Sequence, residues 1–239
     1  MTPSLSSLAV KIFADGADLP RMLELAQNPL IAGFTTNPTL MRKAGITDYR
    51  AFAAEVVRAI PDRPISFEVF SDDFDVMERQ AREIASWGEH VYVKIPVTNT
   101  ARRPALDLIG RLSTAGVKVN VTAVMTLDQV DQITRVLSDE TPSCVSVFAG
   151  RIADTGRDPV PIMTAAVEML RVKPRAELIW ASPREVLNIF QADSTGCQII
   201  TVTADLLRKL DGVGRDLQDF SLDTVKMFHD DAASAAFEL

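Results

Sequence analysis

Ile65-Ser66-Phe67-Glu68-Val69-Phe70, the span Asp72–Trp87, and Val91-Tyr92-Val93-Lys94-Ile95 follow one another in the chain and decide its architecture. The first and last pieces are short apolar runs of strand length, and the middle piece has helical periodicity. Val76, Ala81, Ile84 and Ala85 supply an apolar stripe with charges opposite. Ser71 is placed to cap the helix, acids fill its first turn, and Gly88 stops it. The acids of Asp72-Asp73-Phe74-Asp75 resemble metal ligands superficially, but the helix dipole accounts for them. Strand, helix and strand within about 30 residues make a βαβ unit.

The same alternation runs outward in both directions. Strand candidates are Leu8–Phe13, Ile31–Thr35, Ile65–Phe70, Val91–Ile95, Val117–Val124, Cys144–Phe148, Leu178–Ala181 and Ile199–Val202. Helical patterns fill Leu19–Ala26, Thr47–Ala59, Arg103–Ala115, Leu127–Leu137, Pro161–Val172, Arg184–Ala192 and Ala204–Leu210. Continuous apolar strands fit burial on both faces of a parallel sheet. Eight strands in 239 residues predict an α/β fold, one closed (β/α)8 barrel rather than an open doubly wound sheet. The glycine pair Gly212 and Gly214 does not follow a strand, so it is no dinucleotide fingerprint. Residues 1–239 read as a single domain. Residues 221–239, carrying Phe228 and Phe237, read as a C-terminal helical extension packed on the barrel or on a neighbouring subunit.

Composition narrows the function classes. Twenty-five basic against 32 acidic side chains leave a net charge of −7, with no basic run, which argues against nucleic acid as a partner. Two cysteines are too few for a disulfide framework, and the polar Met1–Ser7 segment has no signal-peptide pattern. No apolar run reaches the ~18 residues of a membrane span. These features predict a cytoplasmic protein. His90 and His229 stand alone, which supports neither a metal site nor a Ser/His/Asp triad.

In such barrels the active site forms at the C-terminal ends of the strands. There the sequence places Asp15, the segment Thr35-Thr36-Asn37, Glu68, Lys94, Asn120 with Thr122, Ser146 with Phe148, Arg151, and Ser182 with Arg184. Thr203 and Asp205 end the eighth strand without an assignable role. Lys94 is the most informative residue, because an apolar strand is a costly place for a charged amine. Burial disfavours an ammonium, and a neutral amine can attack a carbonyl to form a Schiff base. A snorkelling or ion-paired lysine is the plainer reading, with Glu68 as its partner. Glu68 beside a threonine hydroxyl is equally suited to hold a proton-shuttling water. Asp15 alternatively caps a helix. Arg151 and Arg184 beside Ser182 suit a phosphate, unless they are only solvated surface charges.

The motifs Phe13-Ala14-Asp15-Gly16-Ala17, Thr35-Thr36-Asn37-Pro38-Thr39, Val93-Lys94-Ile95-Pro96-Val97-Thr98, Asn120-Val121-Thr122-Ala123 and Ala181-Ser182-Pro183-Arg184 resemble the transaldolase family, and within it the short members that include fructose-6-phosphate aldolase. The resemblance implies a (β/α)8 barrel with class I, Schiff-base chemistry and no metal or organic cofactor. It implies Lys94 as the imine-forming lysine, Asp15 as the acid/base, and Glu68 with Thr122 as holders of the catalytic water. It further implies Asn37, Asn120 and Ser146 as ligands of the dihydroxyacetone unit, and Arg151, Ser182 and Arg184 as the phosphate site. Aldolase-type members typically carry Gln and Tyr where this chain has Glu68 and Phe148, so the resemblance leans toward a transaldolase of the pentose phosphate pathway. It also implies sugar-phosphate substrates and a homo-oligomer, decameric or dimeric. The family often has Phe where this chain has Pro183. The alternatives are an aldolase using free dihydroxyacetone, a transaldolase of another sugar pathway, and a non-catalytic sugar-phosphate-binding barrel.

Overall fold

The computed structural model describes residues 4–235. Eight strands run β1 Lys11–Asp15, β2 Ile31–Thr35, β3 Ile65–Glu68, β4 Val91–Pro96, β5 Val119–Val124, β6 Ser143–Val147, β7 Ala176–Trp180 and β8 Ile199–Thr203. They close in sequence order into one barrel, every neighbouring pair parallel. Helices on the outside connect them. The chain is therefore a (β/α)8 barrel, as the alternation predicts.

Period-two alternation sorts the strand residues. One set, including Phe34, Phe67, Val93, Val121, Val145 and Trp180, joins the continuous core shared with the helices. The other set forms a separate apolar cluster of Phe13, Cys144, Ile179, Ala181 and Ile199 inside the barrel. The continuous apolar runs in the sequence are the sum of these two faces. Gly33 is required here: a Cβ on it would lie 2.6 Å from the Phe13 ring, which fills the space.

The helices follow local chemistry. Helix Leu19–Ala26 matches its predicted bounds, and Asp18 caps it by accepting from Arg21 N. The helix predicted from Asp72 covers Phe74–Ala85; its cap is Asp73, not Ser71, and Met77 rather than Val76 faces the core. Strand β1 begins at Lys11 instead of Leu8, because the Asp193 carboxylate takes the N–H groups of Ala9 and Val10 at 2.7 and 2.9 Å. Two short helices were not anticipated, Pro38–Lys43 and Ala149–Ala153. The first carries a legible signal, a capping Asn37 followed by Pro38 at the first helical position.

The C-terminal helix spans Leu217–Ser234, starting earlier than predicted, and none of its residues is buried. Packing on the barrel, one of the two predicted arrangements, is not found for this helix. Phe237 lies outside the described residues.

Gly33→Ala is expected to lower stability by about 1–3 kcal/mol, the usual range for overpacking a filled core. Urea denaturation measures this; an unchanged midpoint would mean that the Phe13 ring can move aside.

Candidate active site

The register of β3, β4 and β5 aligns three polar side chains, with Glu68 opposite Lys94 and Lys94 opposite Asn120. Lys94 is 6% exposed. Its Nζ donates to the Thr36 carbonyl at 2.9 Å and stands 3.2 Å from Glu68 Oε2. A buried ammonium needs such partners, since desolvating a charge without them costs several kcal/mol. Beyond Lys94, Ser146 Oγ donates to Asn120 Oδ1 at 2.7 Å, and Asn120 Nδ2 donates to Ser66 Oγ at 3.0 Å. This chain of hydrogen bonds fixes the amide orientation of Asn120. Thr122 is also buried, yet among the described residues its Oγ1 has no hydrogen-bonding partner. A buried hydroxyl without a partner is a site for a bridging water or a substrate oxygen.

Asp15 ends β1 and accepts from Thr35 Oγ1 at 2.7 Å. Thr35 spends its single proton on that bond, so its contact with Thr201 Oγ1 has Thr201 donating. Burial raises the Asp15 carboxyl above its ordinary value of 3.8, against the opposing pull of the Lys94 charge and the Thr35 hydrogen bond. The Lys94 charge thus acts on Asp15 across the barrel mouth. A cleft of about 470 Å³ opens beside β1 and β8, with Asp15, Gly16, Arg21, Lys43 and Thr203 on its walls.

Asn37 caps helix Pro38–Lys43, its side-chain oxygen accepting from Leu40 N at 3.0 Å. That cap uses the oxygen and turns the chain out of the sheet immediately after Thr36.

On the opposite wall, Arg151 lies on helix Ala149–Ala153, its guanidinium 5.3 Å from the centre of the Phe148 ring. Arg184 is gripped by Asp154 through two hydrogen bonds, Nε to Oδ1 at 3.1 Å and Nη2 to Oδ2. Gly150 lets the two segments meet: a Cβ there would fall 1.5 Å from the Ser182 carbonyl oxygen and 3.3 Å from Arg184 Nε. Ser182 itself takes φ of +60°, a left-handed conformation that costs about 1–3 kcal/mol outside glycine.

The predicted residues therefore fall into two groups. Lys94, Glu68, Asp15, Asn120, Thr122 and Ser146 line one polar interior. Arg151, Ser182, Arg184 and Phe148 form a second wall just past the ends of β6 and β7, and Asn37 belongs to neither group, its side-chain oxygen being used as a helix cap. Sequence reading missed Thr201, Ser66, and the roles of Thr35 and the Thr36 carbonyl. Thr201 had a usable signal, since it alternates with the inward Ile199. The unassigned Asp205 pairs with Arg208 at 2.5 Å, and Thr203 is exposed. The acids Asp72 and Asp73, read from the sequence as belonging to a helix start, are structural: Asp73 caps its helix, and Asp72 accepts from Thr100 N and Oγ1 at 2.7 and 2.6 Å.

Comparison with known proteins gives one family. A family model described as "Transaldolase/Fructose-6-phosphate aldolase" matches residues 12–239. A protein of Dehalococcoides mccartyi named "Probable transaldolase" is 33% identical over 202 residues, covering 84% of this chain and 90% of its own. Another so named, from Thermoanaerobacter sp. (strain X514), is 33% identical over 218 residues, covering 91% and 95%. A crystal structure of a candidate lyase/mutase from Burkholderia cenocepacia J2315 superposes with TM-score 0.59 over 89% of this chain and 86% of that one. At 16% identity it supports the fold alone.

The Asp15 environment makes a testable statement about pH. A raised carboxyl pKa means that the folded state holds more protons than the unfolded state between pH 3.8 and the folded value, so stability falls as pH rises through that window. Asp15→Asn removes this titration. The variant is expected to melt above the parent at neutral pH, with the difference closing below pH 3.8. Thermal denaturation across pH measures it; equal melting temperatures at pH 7 would contradict the burial argument.

Proposed function

The chain belongs to the transaldolase/fructose-6-phosphate aldolase family, and from that premise we propose that it is a transaldolase working through a Schiff base on Lys94. The observation that carries this reading is the buried Lys94 amine held between the Thr36 carbonyl and Glu68, within the electrostatic reach of Asp15.

Each residue then has a role. Lys94 passes a proton to the Glu68 carboxylate beside it, the neutral amine attacks the ketose carbonyl, and the carbinolamine takes that proton back as it loses water to give the imine. Glu68 and Thr122 hold the water that carries protons in this step; the unpartnered Thr122 Oγ1 supports that assignment. Asp15 takes the proton of the C4 hydroxyl as the C3–C4 bond breaks, and a raised pKa makes its carboxylate a stronger base. The bonding electrons pass into the imine, leaving an enamine rather than a bare carbanion. The first aldehyde departs, the enamine attacks a second, Asp15 returns the proton, and water hydrolyses the new imine to release the product ketose and free Lys94. Asn37, Asn120 and Ser146 hydrogen-bond the dihydroxyacetone unit. Arg151, Ser182 and Arg184 take the sugar's phosphate.

The proposed reaction is sedoheptulose 7-phosphate plus glyceraldehyde 3-phosphate to erythrose 4-phosphate plus fructose 6-phosphate, with no metal or organic cofactor. Glu68 and Phe148 favour transfer over free-dihydroxyacetone aldol chemistry, because a phenyl ring offers no proton to quench the enamine. The same reading makes the chain a homo-oligomer. On the C-terminal helix Leu217, Phe220, Leu222, Val225, Met227 and Phe228 are all more than half exposed and call for a second copy to cover them.

Glyceraldehyde 3-phosphate release from fructose 6-phosphate is expected only when erythrose 4-phosphate is present. Release without the acceptor identifies the aldolase instead. Lys94→Met is expected to abolish both transfer and the borohydride-trapped adduct; persistent transfer would sink the Schiff-base reading. Glu68→Gln combined with Phe148→Tyr is expected to move activity toward acceptor-free cleavage in the same assay, and no movement would remove those two residues as the switch.

A further inference from the structure

The Glu68 peptide lies where β2 and β3 have parted. The two strands pair only through Phe34 with Ile65 and Thr35 with Ser66. One step further, Thr36 N and Oγ1 both donate to the Ser66 carbonyl, at 3.1 and 2.8 Å. Asn37 then caps a helix, and Pro38 carries no N–H, so β2 supplies nothing opposite the next inward residue of β3. In a parallel sheet the alternate peptides of a strand face the same neighbour. Glu68 therefore presents its N–H and C=O to the side that β2 has vacated.

The Tyr49 hydroxyl fills that gap. Its Oη donates to the Glu68 carbonyl and accepts from the Glu68 N–H, both at 2.8 Å, the two bonds that a continued strand would have made. Tyr49 opens helix Tyr49–Ala59, whose first turn is fixed by the Asp48 cap. Its ring is wedged among Phe67, Phe70 and Trp87, with centroids 6.3, 5.6 and 5.8 Å away. Burial pushes the phenol pKa up, so the hydroxyl remains a donor across the working range. The carboxylate carried by this clamped peptide is the one 3.2 Å from Lys94 Nζ.

We propose that Tyr49 is a positioning residue for the imine steps: by holding the Glu68 peptide in place of β2, it fixes the carboxylate over Lys94 and sets the rates of carbinolamine dehydration and imine hydrolysis. This rests on Lys94 being the Schiff-base lysine. Tyr49 touches neither substrate nor the reacting atoms; it acts through Glu68.

Tyr49→Phe keeps the ring and removes the hydroxyl. Displacing a catalytic group by about 1 Å costs on the order of a hundredfold in rate, so a loss of about tenfold to a hundredfold is expected in the rate of adduct trapping by borohydride with fructose 6-phosphate. The loss falls on kcat, with KM for the donor nearly unchanged. A double-mutant cycle separates positioning from general loosening. In a Glu68→Ala background, Tyr49→Phe is expected to add less than about a twofold further loss, because no functional side chain is left at that position to place. Parental trapping rates in folded Tyr49→Phe, fully multiplicative losses in the cycle, or a Tyr49→Phe protein too unstable to purify would each overturn the role. Absence of any trapped adduct in the parent protein would overturn the Schiff-base reading itself, a result distinct from trapping that is merely insensitive to Tyr49.

Discussion

The Lys94–Glu68 pair is the interaction around which the rest of the barrel mouth is arranged. A lysine 6% exposed on an inward strand position carries a desolvation penalty of several kcal/mol, and removing one partner of such a pair costs about 3–5 kcal/mol. The pair is met by a second acceptor, the Thr36 carbonyl, which is free to accept from Nζ at the point where β2 leaves the sheet. The interior at this level is polar throughout, with the Ser66, Asn120 and Ser146 hydrogen bonds continuing the network around the wall. Toward the N-terminal ends of the strands it is apolar, filled by Phe13, Ile179 and Ile199. The barrel is a packed core below and a polar well above, and Lys94 stands at the boundary.

Irregular backbone is concentrated on the same end. The register of β5 against β6 shifts between Val121 and Val124, with Ala123 at φ of +62° directly after Thr122. Ser182, just past β7, is at +60°. Together with Arg102, these are the non-glycine residues of positive φ among those described. Each such residue costs about 1–3 kcal/mol and persists only where its surroundings impose it. Here the surroundings are the polar well and the arginine wall. The parting of β2 and β3 belongs to the same set of local departures, and Tyr49 repairs it from outside the sheet.

Much of this was legible in the chain. Continuous apolar runs marked all eight strands because both faces of a barrel strand are buried, and the polar residues interrupting them marked the site. Strand and helix ends were less legible, because single side chains decide them: Asp193 draws Ala9 and Val10 away from β1, and Asp73 outcompetes Ser71 as a cap. The Glu68 partner of Lys94 was legible because both strands carry a polar residue in an apolar run, but which residues meet from elements further apart was not. Thr201 meets Thr35 across the closure of the barrel, and Tyr49 reaches Glu68 from a helix nineteen positions earlier. No local pattern announces such contacts, since they depend on how the closed sheet brings distant residues together.

In the proposed function the arginine wall is a phosphate site held ready without being held rigidly. Arg184 is gripped by Asp154, but both side chains are about half exposed, at 50% and 51%. An exposed ion pair of this kind contributes about 0–1 kcal/mol. It orients the guanidinium without binding it strongly, so a phosphate dianion, offering more charge and the same bidentate geometry, can displace the carboxylate at small cost. Arg151 is oriented differently, by lying over the Phe148 ring, and no acceptor among the described residues takes its N–H groups. In the proposed function the two arginines are thus prepared for an anion by two weak interactions. The Lys94 pair at the centre is buried and does not yield in this way. That division suits the proposed reaction, in which one sugar phosphate would leave and another enter while the covalent adduct stayed in place.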